Sequence, residues 1–326
     1  MFSTPKFWDH KGILAHIMLP FSVIYFLLKR IIEAFKRKEK KFNFCSILVG
    51  NAVVGGAGKT PTCISIAKLI KHNFPEKKLC IVTKGYGGSI TSPTLLDPKK
   101  HSFNETGDEP QILAKTCDVI IAKNRFRGAE FAEQNNYDVV IFDDGIHDRR
   151  IKKDFSLLVI DGKYGIGNGL VLPAGPLRDR LDITAKYATH ILMIGKDEKK
   201  IIDKLKRRKI DPPVLKAQIS NLSQPDKEKT YIAFAGIGRP QKFFDMLRFD
   251  MKLKLSETVE FPDHYNYEEN DLNYIKSIAE KHKAEILTTE KDFVKFPDTF
   301  QKQCSFIEIE LNIEDNYLRD ALKKCL

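Results

Sequence analysis

Two kinds of apolar pattern divide this chain. Ile13–Leu28 (ILAHIMLPFSVIYFLL) is one apolar run of 16 residues without a formal charge. That is shorter than the roughly 20 apolar residues of a spanning helix, and Pro20 within it predicts a kink. From Phe42 on, short β-rich apolar runs alternate with helical patterns. Strands are expected at Phe44–Gly50, Leu79–Thr83, Val119–Ala122, Val139–Asp143, Leu157–Asp161 and His190–Ile194. Helices are expected at Thr60–Lys71, Pro110–Thr116, Arg125–Gln134 and Pro176–Tyr187. This alternation predicts an α/β fold, a mostly parallel sheet with helices on both faces. Ser220–Lys229 (SNLSQPDKEK) is polar and contains proline, so it reads as a linker. A smaller α/β set follows: strand Thr230–Gly236, helices Gln241–Phe249 and Glu268–Lys281, strand Glu285–Thr289 and a helix near Glu314–Lys324. The expected organisation is an N-terminal segment (1–41), a large domain (42–219), a linker (220–229) and a smaller C-terminal domain (230–326).

Composition narrows the class. With 326 residues, 42% hydrophobic and 30% charged, the chain can bury a core, which excludes global disorder, a polytopic membrane protein and a fibre. Six cysteines without a Cys-x-x-Cys pair argue against a zinc ribbon or disulfide framework and for a reducing compartment. The formal charge of +11 points to an anionic partner. Its distribution decides which. Seven basic residues (Lys29, Arg30, Lys36, Arg37, Lys38, Lys40, Lys41) against Glu33 and Glu39 put +5 directly behind the apolar run. A basic segment so placed, with no RNA-binding aromatic signature, argues against nucleic acid. A signal peptide fits poorly, because the positive charge follows the apolar run. The segment is expected to enter or lie along a membrane, its basic residues facing anionic headgroups on the cytoplasmic side. The alternative is a buried core helix.

The strongest motif is Val53-Val54-Gly55-Gly56-Ala57-Gly58-Lys59-Thr60, between an expected strand and an expected helix. That is the context of a phosphate-binding P-loop. Glycines let backbone N–H groups turn in on the phosphates, and the helix N-terminus adds positive charge. Lys59 would meet the β- and γ-phosphates of ATP, and the Thr60 hydroxyl would bind Mg²⁺. Val53 stands where the first glycine of the common pattern would be. Val139–Phe142 then leads into Asp143 and Asp144, either a metal-holding acid pair or an ordinary Asp-Asp-Gly turn.

With these blocks in order, the chain resembles the tetraacyldisaccharide 4'-kinases of Gram-negative lipid A biosynthesis nearly end to end. The resemblance includes Gly50-Asn51 before the P-loop, Gly85-Tyr86-Gly87-Gly88, Gly107-Asp108-Glu109-Pro110 and Asp143-Asp144-Gly145. It continues through Leu172-Pro173-Ala174-Gly175-Pro176-Leu177-Arg178, Phe234-Ala235-Gly236-Ile237, Phe261-Pro262-Asp263-His264 and Thr289-Glu290-Lys291-Asp292. Lack of the first P-loop glycine also matches the family. Three places depart from it: Lys84 for Arg, His147-Asp148 for Gln-His, and Asp179 for Glu.

The resemblance implies a P-loop kinase at the cytoplasmic face of the bacterial inner membrane. It would transfer the ATP γ-phosphate to the 4'-hydroxyl of an acylated glucosamine disaccharide 1-phosphate, forming lipid IVA. It also implies an Asp–His pair as base, here Asp108 and His264. From the residues alone, Asp108 equally reads as a helix N-cap and His264 as a loop histidine. Gly85–Gly88 reads either as a close approach to substrate or as a tight turn. Arg178 reads as a phosphate contact or a surface ion pair. The alternative function is a P-loop switch ATPase of a membrane targeting or partitioning type, which leaves the second-domain motifs unexplained.

Overall fold

The structure, a computed structural model, describes residues 5–35 and 39–325. Among these, the strands are β1 Cys45–Asn51, β2 Leu79–Thr83, β3 Thr94–Leu95, β4 Asp118–Ile121, β5 Val139–Phe142, β6 Phe155–Asp161, β7 His190–Ile194, β8 Val214–Asn221, β9 Thr230–Ala235, β10 Lys254–Glu260, β11 Glu285–Thr289, β12 Cys304–Ile307 and β13 Ile309–Ile313. The helices are α1 Ile13–Ile17, α2 Leu19–Ala34, α3 Lys59–Asn73, α4 Phe103–Thr106, α5 Asp108–Ala114, α6 Arg125–Gln134, α7 Leu181–Lys186, α8 Ile201–Lys206, α9 Pro240–Asp245, α10 Glu269–His282, α11 Glu290–Phe293, α12 Asp298–Gln301 and α13 Asp315–Lys323.

The strands form a large sheet in the order β13-β8-β7-β6-β1-β5-β2-β4-β3 and a small one in the order β10-β9-β11-β12. The large sheet is parallel except at its edges, where β13 and β3 run antiparallel to their neighbours. Every residue of β1 and β6 is buried. Strands covered on both faces read as unbroken apolar runs, which is why the central strands are evident in the sequence. β8 alternates instead: Val214, Lys216 and Gln218 are exposed, Leu215 and Ala217 buried. β10 is a half-exposed edge strand. Neither has an unbroken apolar run to announce it.

The chain end also differs from the sequence reading. β13 leaves the small sheet and pairs with β8, so residues 309–325 rejoin the large lobe rather than completing the small one. Leu311, Leu318 and Leu322 bury against Ile66 and Ile70 of α3, and Ser65 Oγ donates to the Leu311 carbonyl at 2.6 Å. The expected linker begins inside β8, whose Ser220 and Asn221 pair with Glu310 and Ile309.

At the N-terminus the helix breaks at Met18, and Pro20 falls in the first turn of α2. Proline is accommodated there because the first helical N–H groups have no intrahelical partner, so it starts a helix instead of kinking one. α2 runs past Leu28 to Ala34. One face points outward: Ile13, Ile17, Phe21, Ile24, Leu28, Ile31 and Phe35 are each more than half exposed. The opposite face docks on the large lobe. Ser22 Oγ donates to the Val171 carbonyl at 2.8 Å and accepts from the Ala174 amide at 3.0 Å. Lys29 Nζ reaches the Arg178 carbonyl at 2.9 Å and Asp179 at 3.0 Å, and Arg30 pairs with Glu33 and Asp179. The segment is therefore not a buried core helix. Four of the seven basic residues also pair within the protein: Lys29, Arg30, Lys40 and Lys41 each have a carboxylate partner. Lys36, Arg37 and Lys38 lie outside the described residues. No described helix is long and apolar enough to cross a membrane.

Candidate active site

The site lies at the carboxyl ends of the central strands, where β1 sits between β5 and β6 and a parallel sheet opens its crevice. Residues 52–58 join β1 to α3. Gly55 (φ +104°) and Gly58 (φ +87°) take the left-handed conformation that the turn requires. The loop is laced to the segment Pro176–Arg178: the Val54 amide donates to the Pro176 carbonyl at 2.8 Å, and the Arg178 amide to Ala52 at 2.9 Å. These bonds explain why the helix expected at Pro176–Tyr187 is only α7. Its first residues spend their backbone on the P-loop instead.

The adjacent acids have opposite surroundings. Asp143 faces inward and accepts from Thr83 Oγ1 at 3.1 Å. Burial, reinforced by Glu109, pushes its carboxyl up to about 6. Asp144 lies beside Lys59 at 3.9 Å, Arg178 at 2.6 Å and Arg125 at 3.5 Å. Burial opposes its ionisation, but these three cations overcome it and hold the carboxyl well below the usual range. Its Oδ1 is buried without a hydrogen-bond partner. Arg178 is thus neither a surface ion pair nor a free cation but part of the site. Arg125 is also part of it: buried, it donates from Nε to the Asp143 carbonyl at 2.8 Å. Nothing in the sequence marks Arg125 beyond its place at the start of a helix.

Across the cleft the small lobe supplies His264. Its Nδ1 lies 3.1 Å from both carboxylate oxygens of Asp108, so two residues distant in sequence meet between the lobes. Asp108 is the first residue of α5, one past the N-cap Gly107, and accepts from the Glu109 amide at 2.9 Å without capping the helix. It is also buried and ringed by Lys295 at 3.4 Å and Lys291 at 3.9 Å. Burial again opposes ionisation, and the His264 hydrogen bond and the two lysines prevail, keeping the carboxyl well below its ordinary value. His264 has φ +58°, and its amide donates to Gly236 at 3.1 Å. The Gly236 amide donates in turn to the fully buried Asp292 at 2.9 Å.

Gly85–Gly88 makes its close approach to protein backbone. A methyl group at Gly88 would lie 2.4 Å from the Glu105 carbonyl, and one at Gly107 would lie 2.2 Å from that of Tyr86. The loop therefore presses on the turn that carries Asp108, and the Tyr86 ring sits 5.0 Å from the His264 ring. The dyad is near the P-loop as well. A methyl group at Gly238 would stand 3.2 Å from both the Gly56 amide nitrogen and Asp263 Oδ2.

Comparisons with known proteins identify the family. The family model for Tetraacyldisaccharide-1-P 4'-kinase matches residues 14–326. The chain belongs to this kinase family. Among its relatives, the tetraacyldisaccharide 4'-kinase of Rickettsia africae is 36% identical over 321 residues, 98% of each chain. That of Rhodopseudomonas palustris is 31% identical over 323 residues, 95% of this chain and 92% of the relative. A crystal structure of LpxK from Aquifex aeolicus in complex with ATP is similar at a TM-score of 0.74 and 25% identity, covering 96% of this chain and 99% of that one.

The positions that depart from the family pattern have their own contacts. His147 Nε2 pairs with the Asn51 carbonyl at 2.9 Å, and burial pushes its imidazole down to about 4, so it stays neutral. Asp148 accepts two hydrogen bonds from the Arg150 guanidinium, at 2.8 and 2.6 Å. Lys84 is lowered by burial and by the nearby Arg125 and Arg178. Asp179 receives Lys29 and Arg30 of α2.

Proposed function

We propose that this member of the family transfers the γ-phosphoryl group of ATP to the 4'-hydroxyl of a tetraacyldisaccharide 1-phosphate, working from an anionic membrane surface at the cytoplasmic face of the inner membrane. The observation that carries the reading is the Asp108–His264 pair, drawn from two lobes and facing the P-loop. In this reading residues 53–60 cradle the phosphates, with Lys59 against the β- and γ-groups. His264 takes the proton of the sugar hydroxyl, and Asp108 holds its Nδ1–H and balances the charge that forms.

Mg²⁺ fits the donors present. Asp144 is ionised and offers an unpaired buried oxygen, and Thr60 supplies a hydroxyl at the start of α3. Among the described residues no group of three or more His, Cys, Asp or Glu forms a ready metal site, so nucleotide oxygens and water would complete the coordination. When bound, the ion neutralises phosphoryl charge. Asp144 is the better ligand of the two acids, since Asp143 points at Thr83 and resists ionisation.

The direct test supplies the purified protein with ATP, Mg²⁺ and the tetraacyl disaccharide 1-phosphate. A bis-phosphorylated lipid is the expected product, and ATP hydrolysis indifferent to the lipid would favour the switch-ATPase reading. Asp144→Asn and Thr60→Ala should each raise the Mg²⁺ needed for half-maximal rate several-fold, as measured by Mg²⁺ titration. An unchanged requirement in both would reduce the acid pair to a turn.

The outward face of α1 and α2 supports a helix lying in the membrane interface. Replacing Ile24, Leu28 and Ile31 with serine removes exposed apolar surface and leaves the Ser22, Lys29 and Arg30 bonds to the large lobe in place. At about 25 cal/mol per Å² the triple change should weaken binding to anionic vesicles by 10-fold or more. Cosedimentation measures it, and undiminished binding would move the anchor elsewhere. KM for the lipid should rise while affinity for ATP holds.

A further inference from the structure

Lys291, on α11 of the small lobe, is the one lysine whose ammonium lies directly on the dyad imidazole among the described contacts. Its Nζ is 3.1 Å from His264 Nε2. It also pairs with Glu109 at 3.2 Å, Asp263 at 3.6 Å and Asp108 at 3.9 Å. The sequence places it in the Thr289–Asp292 block without a role.

The hydrogen-bond geometry has a chemical consequence. An ammonium only donates, so Nε2 beside it must present its lone pair, and the ring proton belongs on Nδ1 facing Asp108. That is the tautomer a base needs. The same ammonium occupies the lone pair that must receive the proton. A sugar hydroxyl reaches Nε2 only after Lys291 has moved, and the ligand chemistry able to draw it off is an anionic phosphoryl group. Asp263 lies between this lysine and Gly238 of the small lobe, which abuts Gly56 of the P-loop, so the incoming phosphates would lie on the same side of the cleft as the ammonium.

We propose that Lys291 is a positioning residue that caps the base: it holds His264 in the Nδ1–H form by donating to Nε2, and it shifts onto the γ-phosphoryl oxygens of ATP, opening Nε2 to the acceptor hydroxyl. Glu109, 3.2 Å from the ammonium, is its carboxylate partner in the capped position. The reaction then balances. The hydroxyl proton goes to Nε2, the sugar oxygen bonds to the γ-phosphorus, and the bond from that phosphorus to the β,γ-bridging oxygen breaks, with ADP taking its electron pair. The inference rests on Asp108–His264 being the base.

The groups facing His264 determine the expected pH behaviour. They are Asp108 from α5, Lys291 from α11, Asp263 from its own loop and the Tyr86 ring, with Lys295 and Glu109 one contact further out. Removing Lys291 takes a cation from the base and leaves the acids, so protonation of the base becomes easier. The experiment is steady-state kinetics of the full chain with lipid substrate and ATP, for Lys291→Met, Lys291→Arg and His264→Ala. In Lys291→Met, kcat should fall by about 30-fold with both KM values within about 3-fold, since positioning at the reacting atoms is lost but ground-state binding is not. The acid limb of its kcat/KM profile, which reports the free enzyme in which Lys291 sits on His264, should move to higher pH. Lys291→Arg keeps the charge and the Glu109 pair, so it should hold the acid limb at its wild-type position and remains interpretable if Lys291→Met is unstable. An unmoved acid limb in Lys291→Met, or an acid limb displaced as far in Lys291→Arg as in Lys291→Met, would overturn the capping role. Activity retained in His264→Ala would instead remove the base itself.

Discussion

Lys59→Ala should lower turnover by three orders of magnitude or more. The residue opens α3, whose first N–H groups and helix dipole already favour anions. Its ammonium stands 3.9 Å from Asp144, on the side of the loop where the β- and γ-phosphates would lie. A preorganised cation at developing charge is worth several kcal/mol inside a site that excludes water. The fold does not depend on it, because Asp144 keeps Arg178 at 2.6 Å and Arg125 at 3.5 Å. The loop keeps its bonds to Pro176 and Arg178. Kinetics and thermal melting together decide the matter. A variant that melts like the parent and turns over at a near-parental rate would sink the P-loop assignment.

The second large effect is expected at Asp108 and His264. His264→Ala and Asp108→Asn should each reduce kcat by two to four orders of magnitude, the range associated with a positioned general base. ATP affinity should be nearly intact, because neither residue belongs to the P-loop. The two act through one hydrogen-bonded pair, so the double variant should be little worse than the worse single. Asparagine is the better probe at 108, since its amide oxygen still offers Lys295 an acceptor beside Asp292, which alanine would not. If Asp108 served only as a helix cap, its loss would cost about 1 kcal/mol of stability and leave the chemistry alone. Rate losses that add in full would dissolve the dyad. The depressed pKa of Asp108 also sets a sign for pH. A carboxyl depressed in the folded state stabilises above its unfolded value of about 4, and that contribution fades as pH falls below it. Near neutrality the pair is fully formed.

Much of the large lobe is legible in the chain because its physics is local. β1, β2, β5, β6 and β7 are buried on both faces, so each appears as an apolar run, and each observed strand lies within a few residues of the expected one. The P-loop is legible because three glycines before Lys-Thr at a strand–helix junction have few other uses. Strands β8, β10 and β13 are not, since a strand with one wet face looks like any mixed segment. The last turn of the sequence was equally opaque: nothing local tells Ile309–Ile313 to cross back to β8. That choice is made by Leu311, Leu318 and Leu322 finding the apolar face of α3.

The site divides the same way. Residue types and spacing identified Lys59, Thr60 and the acid pair, and ordered family blocks pointed to Asp108 and His264. Which acid ionises was decided in three dimensions: Asp144 turns toward Lys59, Arg125 and Arg178, while its neighbour is buried against Thr83. The roles of Arg125, Lys291 and Lys295 were hidden, because a lysine or arginine in sequence carries no sign of the carboxylate it will meet. The partners of the basic run after the apolar helix were hidden for the same reason, with Lys29 and Arg30 pairing with Asp179. The amino-acid sequence by itself determined the parallel α/β architecture, the phosphate loop and the apolar N-terminal segment, since burial and backbone conformation are written in neighbouring residues. The tertiary structure alone decided the pairing of charges, the return of the C-terminal strand and the meeting of Asp108 with His264, because electrostatic partners are set by distance in space, over which local sequence has no control.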